Sequence, residues 1–184
     1  LYFDYIMANP PFNLKGWYDE NLQNDPRWTD YGTPPASNAN YAWILHMLSH
    51  LKKANGVAGF LLANGALNDS DTLGIRKRLI QNDKVEAIIV LPRELFITTD
   101  ISVTLWILNQ NKKGGNYHGR NLRNREHEIL FMDLRTWTEN SVKHQKLKKV
   151  FLSSNDSKDT EDIKVNLLGQ IEKASAIYHT WQSD

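Results

Sequence analysis

A chain of 184 residues with 41% hydrophobic content is long enough for one domain with a sizeable core, and its net charge of +1 says nothing by itself about partners. Zero cysteines exclude disulfides, thiolate metal sites and cysteine nucleophiles, and fit a cytoplasmic protein. No apolar run approaches the roughly 18–20 residues that span a bilayer and no signal peptide is visible, so no membrane partner is expected.

The first element is a buried strand near residues 2–8, short and apolar through Phe3, Tyr5 and Ile6. A chain opening on what reads as a central strand, without methionine, is expected to be a fragment of a longer polypeptide. Asn9-Pro10-Pro11-Phe12 follows. The two prolines fix φ and carry no N–H, so the loop is stiff and rich in free carbonyls. An amide oxygen, a rigid carbonyl and a flat aromatic face suit a planar group bearing an NH2. The lone pair of such an amine is delocalised; two acceptors pulling on its N–H bonds would aim that pair at an electrophile. Catalysis would then be orientation plus electrostatic stabilisation, with no charged base. The other reading of the same four residues is a turn after a strand.

Residues 13–39 are polar, turn-rich and unusually aromatic, with Trp17, Tyr18, Trp28 and Tyr31. They read either as a loop pinned by its own aromatics or as a lid or partner contact. Asn40 to Ala54 reads as an amphipathic helix through Tyr41, Ile44, Leu45, Leu48 and Leu51. His46 and His50 share metal-ligand spacing, but no third ligand is evident, and packed or surface histidines are the simpler reading.

A strand is expected over 57–63, a helix over 71–83, a strand over 85–91 and another over 103–109, near enough to pair antiparallel with its predecessor. Arg76, Lys77 and Arg78 read as a solvated face or a phosphate contact. Phe96, between the last two strands, reads as core or as a stacking residue. From Lys112 to Lys149 there are ten Lys/Arg against four acids, including Arg120, Arg123 and Arg125. Such a patch could give salt-sensitive DNA binding or be a solvated basic loop. A mobile hairpin tip over 114–120 and an extra strand over 128–134 lie within it. Residues 153–162 read as a flexible acidic linker, and 163–181 as a helix that packs on the sheet or docks a partner.

Taken in order, Asn9-Pro10-Pro11-Phe12, Asn38-Ala39-Asn40-Tyr41-Ala42-Trp43, the stretch 56–65, Ile75-Arg76-Lys77-Arg78-Leu79-Ile80, Leu91-Pro92-Arg93-Glu94-Leu95-Phe96 and the stretch 98–108 resemble the modification subunit of type I restriction–modification systems. Those subunits are N6-adenine DNA methyltransferases. The resemblance covers roughly 1–135, read as a partial catalytic domain; 136–184 would be the basic segment, linker and C-terminal helix. It implies an α/β fold, the C-terminal half of the Rossmann-like S-adenosylmethionine-dependent methyltransferase sheet. It implies S-adenosylmethionine as cofactor, touched here by Asn9, with the rest of the pocket expected upstream of Leu1. Asn9, Pro10, Pro11 and Phe12 would be catalytic, and Phe12 and Phe96 would stack on the base. Arg120, Arg123 and Arg125 would meet DNA. Implied partners are DNA, a DNA-specificity subunit and a nuclease subunit. The alternatives are a protein glutamine N5-methyltransferase and a non-catalytic assembly module. An unpaired first strand is also expected to make the isolated piece a homodimer or exchange elements, and a clean monomer by light scattering would count against that.

Overall fold

The computed structural model of the chain describes residues 1–93, 101–117, 119–135 and 158–183. Its strands are β1 (Tyr5–Ala8), β2 (Val57–Ala63), β3 (Val85–Val90), β4 (Val103–Asn109), β5 (Gly115–Tyr117), β6 (Arg120–Leu122) and β7 (Leu130–Asp133). Five of them form the central sheet, in the order β1-β2-β4-β3-β7, and β5 and β6 make a separate hairpin. Strand β1 is parallel to β2 and β3 is parallel to β7, while β4 is antiparallel to both β2 and β3. Four strands of the sheet therefore point the same way. Their carboxyl ends share one rim, their amino ends the other.

The register explains the two faces. Ala8, Phe60, Trp106 and Ile88 lie in one row, and this face is covered by α1 (Asn40–Ser49) and α2 (Leu73–Gln81). Tyr41, Ile44, Leu45 and Leu48 recur every three or four residues, which puts them on one side of α1, and all four are buried. Tyr41 meets Trp106 edge-on at 6.3 Å, and its hydroxyl donates to the Ala66 carbonyl at 2.7 Å. The opposite face carries Ala87, Ile89, Leu105, Ile107, Leu130 and Met132, packed against Ala174 and Tyr178 of α3 (Lys158–Ser183). Apolar packing is thus what the end of α3 does, although Ile171 and Ile177 stay exposed.

Three expected elements need correction. The first is the opening strand, which starts at Tyr5 rather than near residue 2 and is only half-buried on alternate residues. Helix α1 ends at Ser49 rather than 54, because the chain turns at His50 so that Leu51 bridges Phe3, with Phe3 N–H donating to the His50 carbonyl at 2.9 Å. The helical spacing of Leu51 is real, but it joins the core from an extended segment beyond the helix. The acidic stretch 153–162 is not all linker: α3 already begins at Lys158. Strand β1 has no partner on its outer edge among the described residues, and Tyr5 and Met7 are exposed there. No helix of the described residues is long and apolar enough to cross a membrane.

One residue breaks the sheet's alternation. The register slips between Val85 and Ala87, so Glu86 is the extra residue of a bulge. Its carboxylate is fully buried and accepts from Arg125 Nε at 3.1 Å, Gln182 Nε2 at 3.1 Å and Asn109 Nδ2 at 3.0 Å. The Tyr178 hydroxyl also reaches it at 3.4 Å, and burial together with the Glu86 charge raises the phenol well above its ordinary pKa. This polar knot fastens α3 to the sheet.

Candidate active site at the carboxyl rim

Strand β1 delivers Asn9 to the carboxyl rim, where ligands of open α/β sheets ordinarily bind. Asn9 is exposed, and its carboxamide makes no hydrogen bond to any described residue. Pro10 is buried and anchors the loop; Phe12 is half-buried. An acceptor with no partner among the described residues, on a stiff and anchored backbone, is open to solvent and to an incoming N–H donor alike.

Three contacts hold this loop and its rim. Asn13 adopts φ +52° and exchanges two hydrogen bonds with the buried Asn40, from Asn13 N–H to Oδ1 at 3.0 Å and from Asn40 Nδ2 to Asn13 Oδ1 at 2.7 Å. The Ala39 N–H donates to the Leu14 carbonyl at 2.9 Å. At the neighbouring strand ends, the buried Thr104 hydroxyl donates to Asn64 Oδ1 at 2.5 Å. Sequence reasoning missed Asn13 and Asn40 as a pair; an Asn two residues past a diproline and an Asn opening a helix were the available signals.

The aromatic loop 13–39 is pinned by its own side chains. Trp28 is buried, donates from Nε1 to the Leu22 carbonyl at 2.7 Å and meets Trp17 edge-on at 6.4 Å. A small cavity of about 220 Å³ lies between Leu14, Trp17, Leu22, Trp28 and Trp43. Arg27 lies over Trp28 at 4.7 Å, grips Asp25 at 2.6 Å and reaches His46 Nδ1 at 2.8 Å. His46 and His50 lie ring to ring at 4.4 Å, and burial, helped by the neighbouring His50 and Arg27 charges, lowers the His46 pKa.

The hydrogen bond from Arg27 lowers the Asp25 pKa to about 2 from 3.8. A depressed carboxyl stabilises the fold above its unfolded pKa, and that contribution is lost as pH falls through the folded value. The pin is therefore complete above about pH 4 and released towards about pH 2. Asp25→Asn is expected to cost about 1–2 kcal/mol at neutral pH and to remove this acid-linked step. Acid titration of tryptophan fluorescence in wild type and variant checks it.

The basic cluster lies elsewhere. The β5–β6 hairpin sits at the start of β1, where the Tyr5 and Tyr117 hydroxyls are 3.0 Å apart. Asn9 is four residues further along the chain from Tyr5, roughly 13 Å at the rise of a strand. Arg120 is exposed and donates to Gln182 Oε1 at 3.3 Å, beside a cavity of about 310 Å³. Arg123 is paired with Glu128 at 2.6 Å and lies over Trp181 at 5.4 Å. Arg125 requires correction as a DNA contact: it is 0% exposed, bonded to Glu86 and to the Arg123 and Gln182 carbonyls, and cannot reach a phosphate. Phe96, the second expected stacking residue, lies outside the described residues.

Residues 1–164 match the family described as N-6 DNA methylase. The chain belongs to that family. It is 46% identical over 134 residues to the type I restriction enzyme HindI methylase subunit of Haemophilus influenzae, a match covering 72% of this chain and 27% of that protein. It is 30% identical over 189 residues to the MjaVII methylase subunit of Methanocaldococcus jannaschii, covering 97% of this chain and 28% of the relative. The type I restriction–modification methyltransferase subunit of Streptococcus thermophilus superposes with a TM-score of 0.64 at 27% identity, over 85% of this chain and 33% of that one. The chain thus spans about a quarter of the length of these curated relatives. The expected methyltransferase α/β fold is confirmed, and the family members place the resemblance on firm ground.

Proposed function

We propose that the chain carries the amine-gripping part of an S-adenosylmethionine-dependent DNA adenine-N6 methyltransferase, within a longer type I modification subunit. The observation that carries the proposal is the exposed Asn9 carboxamide, without a hydrogen bond to the described residues, at the carboxyl end of β1 and followed by the buried Pro10. Asn9 Oδ1 and the Pro10 carbonyl accept the two N6 hydrogens, and Phe12 stacks on the ring. Stacking contributes roughly 1–3 kcal/mol per base, offsetting part of the few kcal/mol needed to extrude a nucleotide. Bound S-adenosylmethionine supplies the electrophilic methyl group. The exposed Asn9 beside the open edge of β1 suits contact with it, as one part of a larger pocket. The proposed partners are DNA, a DNA-specificity subunit and a nuclease subunit.

The test is product identification with the full-length polypeptide, radiolabelled S-adenosylmethionine and duplex DNA in the presence of the specificity subunit. Label is expected on N6-methyladenine after nuclease digestion. Label on glutamine side chains of protein, with none in DNA, would reverse the choice of substrate.

A further inference from the structure

We infer that Asn40 is a positioning residue for the Asn9–Phe12 loop, acting through Asn13; this rests on the reading of Asn9 as the amine acceptor. Two prolines leave the loop stiff but say nothing about where it points. Its direction is set where the chain leaves Phe12, and there Asn13 enters the left-handed region at φ +52°. That conformation disfavours most side chains and is tolerated best, after glycine, by Asn and Asp.

Asn40 holds this turn by two bonds of opposite sense. Its Oδ1 accepts the Asn13 backbone N–H at 3.0 Å, and its Nδ2 donates to Asn13 Oδ1 at 2.7 Å. A carboxamide is the group that can do both, since it presents an acceptor and a donor side by side. Rotating it by half a turn would break both bonds, so the orientation is fixed by its partners. Asn40 is 3% exposed and is the first residue of α1, next to the fully buried Tyr41. Its own N–H donates to Asn38 Oδ1 at 3.2 Å, and the Leu14–Ala39 backbone bond lies alongside. The loop is thereby referenced to a helix packed in the core. Small displacements matter here, because a misplacement of about 1 Å at reacting atoms can cost about 10²-fold in rate.

The bond polarity makes the two members unequal. Asn13→Asp still accepts from Asn40 Nδ2. Asn40→Asp still accepts from the Asn13 N–H and keeps the second bond if the Asn13 carboxamide turns over, whereas Asn40→Leu can neither accept nor donate. In the full-length enzyme, assayed well below its unfolding transition, Asn40→Leu is expected to lower kcat about tenfold or more, with KM for S-adenosylmethionine changed less than about twofold. Asn13→Asp is expected to stay within about threefold of wild type. Wild-type kcat in Asn40→Leu, or equal losses in Asn40→Leu and Asn13→Asp, would overturn the inference. A wild-type enzyme that methylates no DNA would sink the parent reading instead. In that event hydrogen exchange of the peptide containing Asn13 still decides the clamp. Faster exchange in Asn40→Leu than in wild type supports it, and unchanged exchange overturns it.

Discussion

Replacing Asn9 with alanine is expected to lower methyl transfer by at least about 10²–10³-fold, the loss typical of removing one group aimed at developing charge. The target nitrogen is a poor nucleophile because its lone pair is shared with the ring. On the proposed reading, alanine would leave one acceptor, the Pro10 carbonyl, which by itself would not hold both hydrogens and turn the lone pair outward. Because Asn9 is exposed and bonded to no described residue, stability should change by no more than about 0.5 kcal/mol. Single-turnover methylation alongside denaturant unfolding separates the two effects. Retained turnover, or a loss matched by unfolding, would remove Asn9 from the reaction.

The second large effect concerns stability. Glu86→Ala should destabilise the domain by about 3–5 kcal/mol, because it strands the Arg125 guanidinium in the interior. Arg125 and Glu86 are both 0% exposed, and the second terminal nitrogen of Arg125 already lacks a partner among the described residues. Gln182 and Tyr178 would lose their acceptor at the same time, so the end of α3 should undock. The double variant Glu86→Leu/Arg125→Met removes both charges and should recover much of the loss. Urea unfolding and hydrogen exchange across 174–183 measure the two predictions; a mild single-variant effect would mean the knot contributes little.

The strands were legible because burial imposes apolar runs, and β2 and β4 fall at the expected 57–63 and 103–109. The candidate rim was legible for a different reason, since diproline after an apolar strand constrains its backbone locally. Long-range polar pairing was not. Glu86 sits within a run of apolar residues, and nothing local shows that a bulge will turn it towards Arg125. Arg125 counted as one more cation in a basic stretch, because charge alone does not reveal burial. Leu51 failed similarly: helical spacing cannot distinguish a last helical turn from an extended residue packed on the same core.

Because four strands run one way, the molecule has two ends that can be altered separately. The β5–β6 hairpin lies at the end where β1 begins, away from Asn9, and Gly119 is exposed there at φ +79°. A short affinity peptide or a fluorophore inserted at that tip should leave the chemistry undisturbed, giving a handle for following assembly in real time.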